Sequence, residues 1–395
     1  MVQKKMALPL SLLLICALAL ILIQQGLLGI SLTAPSPYNT YTLQALAWRE
    51  GRAHLAQDVP HLELAIFEGR YYVSFPPVPS VPIYFLTFIF GAGVPDGLMV
   101  LLYALISVFV LWKLLYRKGF TSFAAAAWSF LALFASSLLP LTLSGAVWYQ
   151  AQVLGLMLIL IAAERLDAGK PFWGLVCYAL SVGCRPFNAL YGPLLLILCL
   201  GPRLAGKKSF KYLLMQLLPG LLAGLLIAAL YGWYNAIRFG SPLEFGHNHL
   251  PEFSFQGGTQ FSLAHVGKNV RDYLFALPFI RTGQGLTLRI FGFSLFLANP
   301  VLLLMVIWAA ALGITKKIKL EQVLIFVFFM VHLFLLLLHR TFGGFQFGAR
   351  YAVDLLPYAM LFLARRERKS ITIAEAAVML AGLAFSVYGS LTVHL

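Results

Sequence analysis

Pro76-Pro77-Val78-Pro79-Ser80-Val81-Pro82-Ile83-Tyr84-Phe85-Leu86-Thr87-Phe88-Ile89-Phe90-Gly91 decides how the whole chain is threaded. The stretch is apolar, yet it is short for ~30 Å of hydrocarbon and is broken by Pro76, Pro77, Pro79 and Pro82. If it crosses a membrane, every later basic loop changes side. If it is re-entrant or lies along the interface, all the basic clusters face one way. Those clusters are Lys4/Lys5, Arg117/Lys118, Arg165/Lys170, Arg203/Lys207/Lys208/Lys211, Lys316/Lys317/Lys319 and Arg365/Arg366/Arg368/Lys369. Cytoplasmic loops carry the excess of Lys and Arg, so the second reading is adopted. It predicts a cytoplasmic N-terminus and an extracytoplasmic C-terminus.

On either side of this stretch the chain is strongly apolar. Of its 395 residues, 61% are hydrophobic and only 11% charged, too little charge to cover a soluble domain. Apolar runs cover residues 7–32, 98–115, 122–141, 146–163, 172–182, 189–200, 213–236, 291–313, 323–338, 351–364 and 371–391. The expectation is an all-α polytopic transmembrane bundle of about 11 spans, one integral membrane domain over residues 1–395. Helices suit this setting because they satisfy their own backbone groups where no water is present. The first run is too long for the core of a cleavable signal peptide and reads as an anchor that stays.

A net charge of +15 would point to nucleic acid in a soluble protein. Here the bases sit in short loops and no basic folded domain exists, so the bilayer is the expected partner and nucleic acid is not. Cys16, Cys177, Cys184 and Cys199 are scattered through apolar runs without a CxxC spacing. They read as packing residues.

Three polar, aromatic segments remain for the outer face: residues 33–91, 238–290 and 339–350. In the first, residues 38–50 read as an interfacial helix, capped by Asn39 or Thr40 and ended by Gly51. Gly69-Arg70-Tyr71-Tyr72 then reads as a turn.

Ionisable groups where an apolar helix leaves the membrane are functional candidates by default. Arg350 and Asp354 in Arg350-Tyr351-Ala352-Val353-Asp354-Leu355-Leu356-Pro357 are four apart and share a face on an α-helix. Either they form an anchoring salt bridge, or Arg350 binds a phosphate while Asp354 orients it. Arg340, Arg185 and Arg238 are further phosphate candidates, set against snorkelling or a satisfied structural arginine. His61 with Glu63, and His247 with His249 near Glu244 and Glu252, match the idea of a metal pair only weakly, and loop packing is preferred. Trp148, Tyr149, Gln150 and Gln152 suit sugar contact, but interfacial aromatics are common anyway. Gly343-Gly344 and Gly348 mark a closely approached loop, not a nucleotide phosphate loop, since no lysine followed by serine or threonine comes after them.

Three stretches in order carry a family resemblance. The first is Gly51, then His61-Leu62-Glu63-Leu64-Ala65, then Glu68-Gly69-Arg70-Tyr71-Tyr72-Val73-Ser74-Phe75-Pro76-Pro77. The second runs from Tyr234-Asn235-Ala236 through Arg238 to Gly246, and the third from Phe347-Gly348-Ala349-Arg350-Tyr351 to Pro357. Together they resemble the GT-C superfamily of membrane glycosyltransferases, and within it the protein mannosyltransferase-like branch.

The resemblance implies a helical bundle whose large first outer loop carries the active site. It implies transfer of a sugar from a polyprenyl-phosphate donor to a glycan, lipid or protein acceptor, with inversion, at the outer face of a plasma membrane. A carboxylate of the first loop would serve as general base, and outer arginines would hold the phosphate. The base is expected to be Glu63, with Glu50, Asp58 and Glu68 behind it. Arg350, Asp354, Arg340, Arg185, Arg238, Asn39 and Tyr72 are the expected substrate-binding residues. A divalent cation, Mg or Mn, is compatible with this scheme but not required by it.

One departure matters. The family usually places an acid just after the first span, and that slot here is Ser36-Pro37-Tyr38-Asn39, with none. Asn39 can hydrogen-bond an acceptor but cannot take its proton. The turn over residues 144–152 also lacks the acid some members carry there. Two alternatives therefore stay open: a transporter or flippase for a lipid-linked saccharide, and a non-catalytic relative.

Overall fold

The computed structural model describes residues 2–206, 209–254, 259–283 and 285–394. Lys207 and Lys208 of the basic clusters, and residues 255–258 and 284 of the second long loop, lie outside the described residues.

Helix α1 (Val2–Leu28) leads into short α2 (Thr40–Arg49), a hairpin of β1 (Leu64–Phe67) and β2 (Arg70–Val73), and α3 (Ser80–Phe90). A run of helices follows: α4 (Asp96–Arg117), α5 (Ser122–Phe134), α6 (Leu138–Leu141), α7 (Val147–Asp167), α8 (Pro171–Val182), α9 (Tyr191–Ala205) and α10 (Phe210–Phe239). The long connection after α10 holds α11 (Pro251–Ser254), α12 (Val266–Val270) and a second hairpin, β3 (Phe279–Thr282) and β4 (Gly285–Leu288). The chain ends with α13 (Leu295–Ala298), α14 (Pro300–Ile314), α15 (Leu320–Leu338), α16 (Leu356–Ala364) and α17 (Ile373–His394). Six of these, α1, α4, α7, α10, α15 and α17, are long and apolar enough to cross a membrane.

Local chemistry sets the boundaries. Thr121 caps α5, its hydroxyl oxygen accepting from the Ala124 amide at 3.1 Å. Pro171 and Pro300 open α8 and α14, where a missing N–H costs nothing. Helix α10 stops at Gly240, which takes φ +71° in the left-handed region.

Helix α7 is the most enclosed of the long helices and packs against α4 and α8. In lipid, helices associate through close contact of small residues rather than by burying oily surface. Gly174 of α8 shows this: a Cβ there would stand 2.6 Å from Leu166 Cγ of α7.

The two ends of the bundle differ in charge. At one end Arg117 and Lys118 pair with Asp167, Arg365 Nε lies 2.7 Å from Glu321 Oε2, and Lys319 Nζ lies 3.1 Å from Glu367 Oε1. Arg203 donates to the Leu166 carbonyl there, and Lys369 lies over Phe120. The opposite end carries the loops. Asp96, at the start of α4, accepts a hydrogen bond from the Ser36 amide just beyond α1. His394 Nε2, at the far end of α17, lies 2.9 Å from the Pro140 carbonyl oxygen.

Helix α3, whose reading decided the threading, begins and ends at the loop end. Ser80 Oγ donates to Gln44 Oε1 at 2.7 Å, and Arg49 Nη1 donates to the Thr87 carbonyl at 2.8 Å. It therefore lies along α2 and does not run the length of the bundle.

The all-α expectation holds for the bundle and misses the two hairpins. Of the stretch expected as a turn, Gly69-Arg70-Tyr71-Tyr72, only Gly69 turns, and Arg70, Tyr71 and Tyr72 belong to β2. Phe67 pairs with Arg70, and Glu68 (φ +49°) and Gly69 (φ +71°) form the two-residue turn. Positive φ at both positions is what a tight hairpin needs to match strand twist. The apolar run over residues 351–364 is also not one α-helix. Arg350–Leu355 is a 3-10 segment and α16 begins at Leu356.

Candidate active site at the loop end

The first turn of α7 organises the site. Trp148 and Gln152 are one turn apart and share a face. The Trp148 indole Nε1 donates to Glu63 Oε2 at 3.0 Å, while the Arg350 guanidinium lies 5.7 Å from the Trp148 ring centroid and 5.3 Å from that of Tyr351. Gln152 Nε2 donates to the Arg350 carbonyl at 3.1 Å. Tyr38 and Phe75 pack on Trp148, with centroids 5.1 and 6.4 Å away. Glu63, carried by the residue before β1, and Arg350 thus meet the same indole.

Arg350 is only 8% exposed, and among the described residues no carboxylate lies within ion-pair distance of it. Its Nε is buried without a hydrogen-bond partner. A buried cation normally has an anion, whereas Arg350 meets two aromatic rings. Its backbone is held in place: Gln346 Oε1 accepts from the Arg350 amide at 2.8 Å.

Asp354 does not orient Arg350. Its Oδ2 accepts from Arg185 Nε at 2.9 Å and Nη2 at 2.6 Å. The reason is the 3-10 geometry over Arg350–Leu355. At three residues per turn, side chains four apart point in different directions. Arg185, lying over the Tyr351 ring at 5.2 Å, therefore neutralises Asp354 and ties the segment after α8 to the segment before α16.

The remaining candidates are dispersed. Arg238 is buried and spends all three guanidinium nitrogens on protein: Nε to the Tyr234 carbonyl, Nη1 to the Val73 carbonyl at 2.9 Å, Nη2 to Asn235 Oδ1 at 2.8 Å. It fastens the first hairpin to α10. Arg340 lies over Phe253 at 4.8 Å, with its amide donating to the Gln260 carbonyl. Glu50 is exposed and pairs with Arg52, and Asp58 and Glu68 are exposed. Asn39 precedes α2 without a side-chain cap bond. Tyr72 is buried against Phe239, with centroids 5.2 Å apart.

The histidines take packing positions. His61 Nε2 lies 3.0 Å from the Pro37 carbonyl oxygen. His247 stacks on Phe253 and His249 on Phe239, so the two rings diverge. Among the described residues, no three His, Cys, Asp or Glu side chains come together as a metal site. Burial first, then the charges of His339 and Arg185, push His247 down to about 4. Partial burial first, and the neighbouring Glu63 carboxylate second, push Glu252 up.

One acid was missed by the sequence reading. Asp96 is fully buried; its Oδ2 accepts from the Ser36 amide at 3.0 Å, and its Oδ1 accepts from Gln150 Nε2 at 2.8 Å and Thr42 Oγ1 at 3.4 Å. The slot after the first apolar run, empty of acid in sequence, thus receives a carboxylate from α4. Gly145 makes room for it: a Cβ there would stand 2.4 Å from Asp96 Cβ.

No family model and no curated protein matches the sequence. Solved structures do match its fold. The oligosaccharyltransferase of Archaeoglobus fulgidus, in its apo form, aligns over 98% of this chain and 55% of its own, with a TM-score of 0.53 at 14% identity. ArnT of Cupriavidus metallidurans, bound to undecaprenyl phosphate, aligns over 95% of this chain and 62% of its own, with a TM-score of 0.50 at 16% identity. The chain therefore spans little more than half the length of the proteins whose fold it shares.

Proposed function

We propose that this chain, which carries the GT-C fold, is a membrane glycosyltransferase that moves a sugar from a polyprenyl-phosphate donor to an acceptor at the extracytoplasmic face. The observation that carries the proposal is Arg350: a buried guanidinium with no carboxylate within ion-pair distance among the described residues, set against the Trp148 indole that also donates to Glu63. That ArnT binds undecaprenyl phosphate on the same fold supports a lipid-linked anion as the missing partner. The loop end is then extracytoplasmic and the basic end cytoplasmic, the orientation favoured for loops rich in Lys and Arg. A plasma membrane is the proposed location.

The polyprenyl tail stays in the bilayer and its phosphate enters against Arg350, whose planar fork suits anionic oxygens. Glu63 accepts the proton of the acceptor hydroxyl. The acceptor oxygen bonds to the anomeric carbon as the bond from that carbon to the phosphate oxygen breaks. The leaving polyprenyl phosphate takes the electron pair and stays on Arg350. Attack from the side opposite the phosphate inverts the anomeric centre. Trp148, donating to Glu63 and flanking Arg350, fixes the separation of base and phosphate. Arg185 and Arg238 are occupied by protein partners and serve to hold the site. A glycan, a lipid or a protein hydroxyl fits the acceptor role. No step is routed through a divalent cation.

The test is sugar transfer from a panel of polyprenyl-phosphate sugars by purified protein in liposomes made with cell-envelope extract, with and without EDTA. Glu63→Gln is expected to lower transfer by roughly 10²–10⁴-fold, the scale of general-base catalysis, and Arg350→Ala to weaken donor binding. Absence of transfer from every donor, with donor still bound, would overturn the proposal in favour of a flippase or a non-catalytic binder.

A further inference from the structure

At the basic end of the bundle, away from the loops, the linker from α16 to α17 gathers cations around Lys369. The Lys369 Nζ donates to the carbonyl of Ala364, the last residue of α16, at 3.1 Å. It also lies 5.1 Å from the ring centroid of Phe120, in the connection between α4 and α5. Burial first, then the charges of Lys118, Lys319, Arg366 and Arg365, push its ammonium below the usual lysine value. Four other cations are therefore near enough to repel it.

Each of those four has a carboxylate of its own. Lys118 pairs with Asp167, which Arg117 shares. Lys319 pairs with Glu367 and Arg365 with Glu321, while Arg366 Nη2 lies 2.6 Å from Glu375 Oε1. Among the described residues, Lys369 has no carboxylate within ion-pair distance. Glu375 has nothing left to offer it: Oε1 also accepts from Trp308 Nε1 at 3.1 Å, and Oε2 accepts from the Thr372 amide at 2.9 Å. Arg366 is only 9% exposed, lies over the Trp308 ring at 3.9 Å, and has an Nη1 without a hydrogen-bond partner. An ammonium offers three donors, and Lys369 gives one to Ala364. Five cations against four carboxylates leave a positive charge at a half-buried centre, where screening by salt is weak.

We infer that Lys369 receives the phosphate of an anionic phospholipid of the cytoplasmic leaflet, and that this lipid fastens the linker over residues 365–372 to the start of α5. A phosphodiester carries one negative charge and matches the charge left over. A lipid fits better than a free anion because the site borders hydrocarbon. Phe123, three residues after Phe120, Ile373, four after Lys369, and Leu320, next to Lys319, are large apolar side chains left exposed by the bundle. They give acyl chains a surface beside the headgroup. Basic pockets between helices on the cytoplasmic side of a membrane hold anionic headgroups in this way. The inference stands apart from the loop-end chemistry, and only the choice of leaflet uses the orientation proposed above.

The experiment is native mass spectrometry of the purified protein in detergent, titrated with phosphatidylglycerol, phosphatidylcholine and inorganic phosphate. Phosphatidylglycerol is expected to bind at least about tenfold more tightly than phosphatidylcholine, whose headgroup carries its own cation. Lys369→Gln, and Lys369→Met, which keeps the apolar stem over Phe120, are each expected to remove about tenfold of that preference, the worth of one charge-assisted hydrogen bond. Lys369→Arg should keep it. So should Lys211→Gln, which removes an exposed cation at the start of α10, at the same end of the bundle. Equal affinity of wild type for the two lipids would overturn the inference. A preference that survives both neutral variants, or that Lys211→Gln lowers as much, would also overturn it, because either marks diffuse attraction to a basic face. Displacement of phosphatidylglycerol by inorganic phosphate would make this a free-anion site and overturn its assignment to a lipid.

Discussion

Replacing Asp96 by alanine tests whether the buried acid holds the first loop to the bundle. The side chain accepts from three donors: the Ser36 amide, Thr42 Oγ1 and Gln150 Nε2. Alanine strands all three, the Thr42 and Gln150 donors in a buried site and the Ser36 amide in a part-buried one. Each stranded donor costs about 1–3 kcal/mol, and the loop relaxes enough to bring water to some, which leaves a net loss of roughly 3–6 kcal/mol. For a chain of this size that corresponds to a fall in melting temperature of roughly 4–7 °C. Asp96→Asn keeps one acceptor oxygen and turns an N–H₂ toward a donor, so it should fall between alanine and wild type. The assay is a melt followed with a thiol-reactive fluorophore in a Cys16→Ser, Cys177→Ala background, reading the buried Cys184 and Cys199 as they become accessible. Limited proteolysis over residues 33–79 gives a second readout, because a clamp on one loop can open locally before the bundle melts. An Asp96→Ala protein that melts within about 1 °C of wild type and is cut no faster would refute the clamp.

Other consequences can be checked separately. Asp354→Ala leaves Arg185 without its ion-pair partner and should cost about 3–5 kcal/mol, while Asp354→Leu combined with Arg185→Met should recover most of it; equal melts for single and double variants would contradict this. Trp148→Phe keeps an aromatic ring but removes the N–H that Glu63 accepts. A charge-assisted bond of ~1.5–3 kcal/mol translates into a roughly tenfold to hundredfold slower transfer, with the affinity for polyprenyl phosphate nearly kept. His247 is held down at about 4, below its usual value near 6.5. Its contribution to stability is therefore complete above pH 6.5 and lost as pH falls toward 4. His247→Gln should remove part of the acid sensitivity of the melt in that window, and an unchanged pH profile would show that the ring is not desolvated.

The bundle was legible because lipid leaves few options: long apolar runs become helices, and the basic loops fixed which runs share an end. The first hairpin was hidden because Leu64-Ala65-Ile66-Phe67 reads as one more apolar stretch, although Glu68-Gly69 between two short runs is a hairpin signal in its own right. The pairing of Asp354 was misjudged because a period of 3.6 was assumed where the chain is 3-10. Pro357, just past that segment, marked the irregularity. Asp96 carried a signal that went unused. A lone acid beside Pro95 at the start of an apolar run is as unusual as Arg350. Arg238 as a satisfied structural arginine was one of the readings open in the sequence, and its local partners Tyr234 and Asn235 fit it, but its link to the first hairpin was not legible, since Val73 lies 165 residues away. Glu63 and Arg350 were each nominated by their local stretches, but nothing in either stretch points to Trp148, which joins them.

Binding of a polyprenyl phosphate at Arg350, beside the Trp148 indole that also holds Glu63, is resolved by a cryo-EM structure of the protein in nanodiscs with undecaprenyl phosphate. Phosphate density is expected within hydrogen-bonding distance of the Arg350 guanidinium, on the Trp148 side, and is expected to be lost in Arg350→Ala. Phosphate density seated instead at the basic end of the bundle, or on Arg340 with Arg350 still unpartnered, would contradict it.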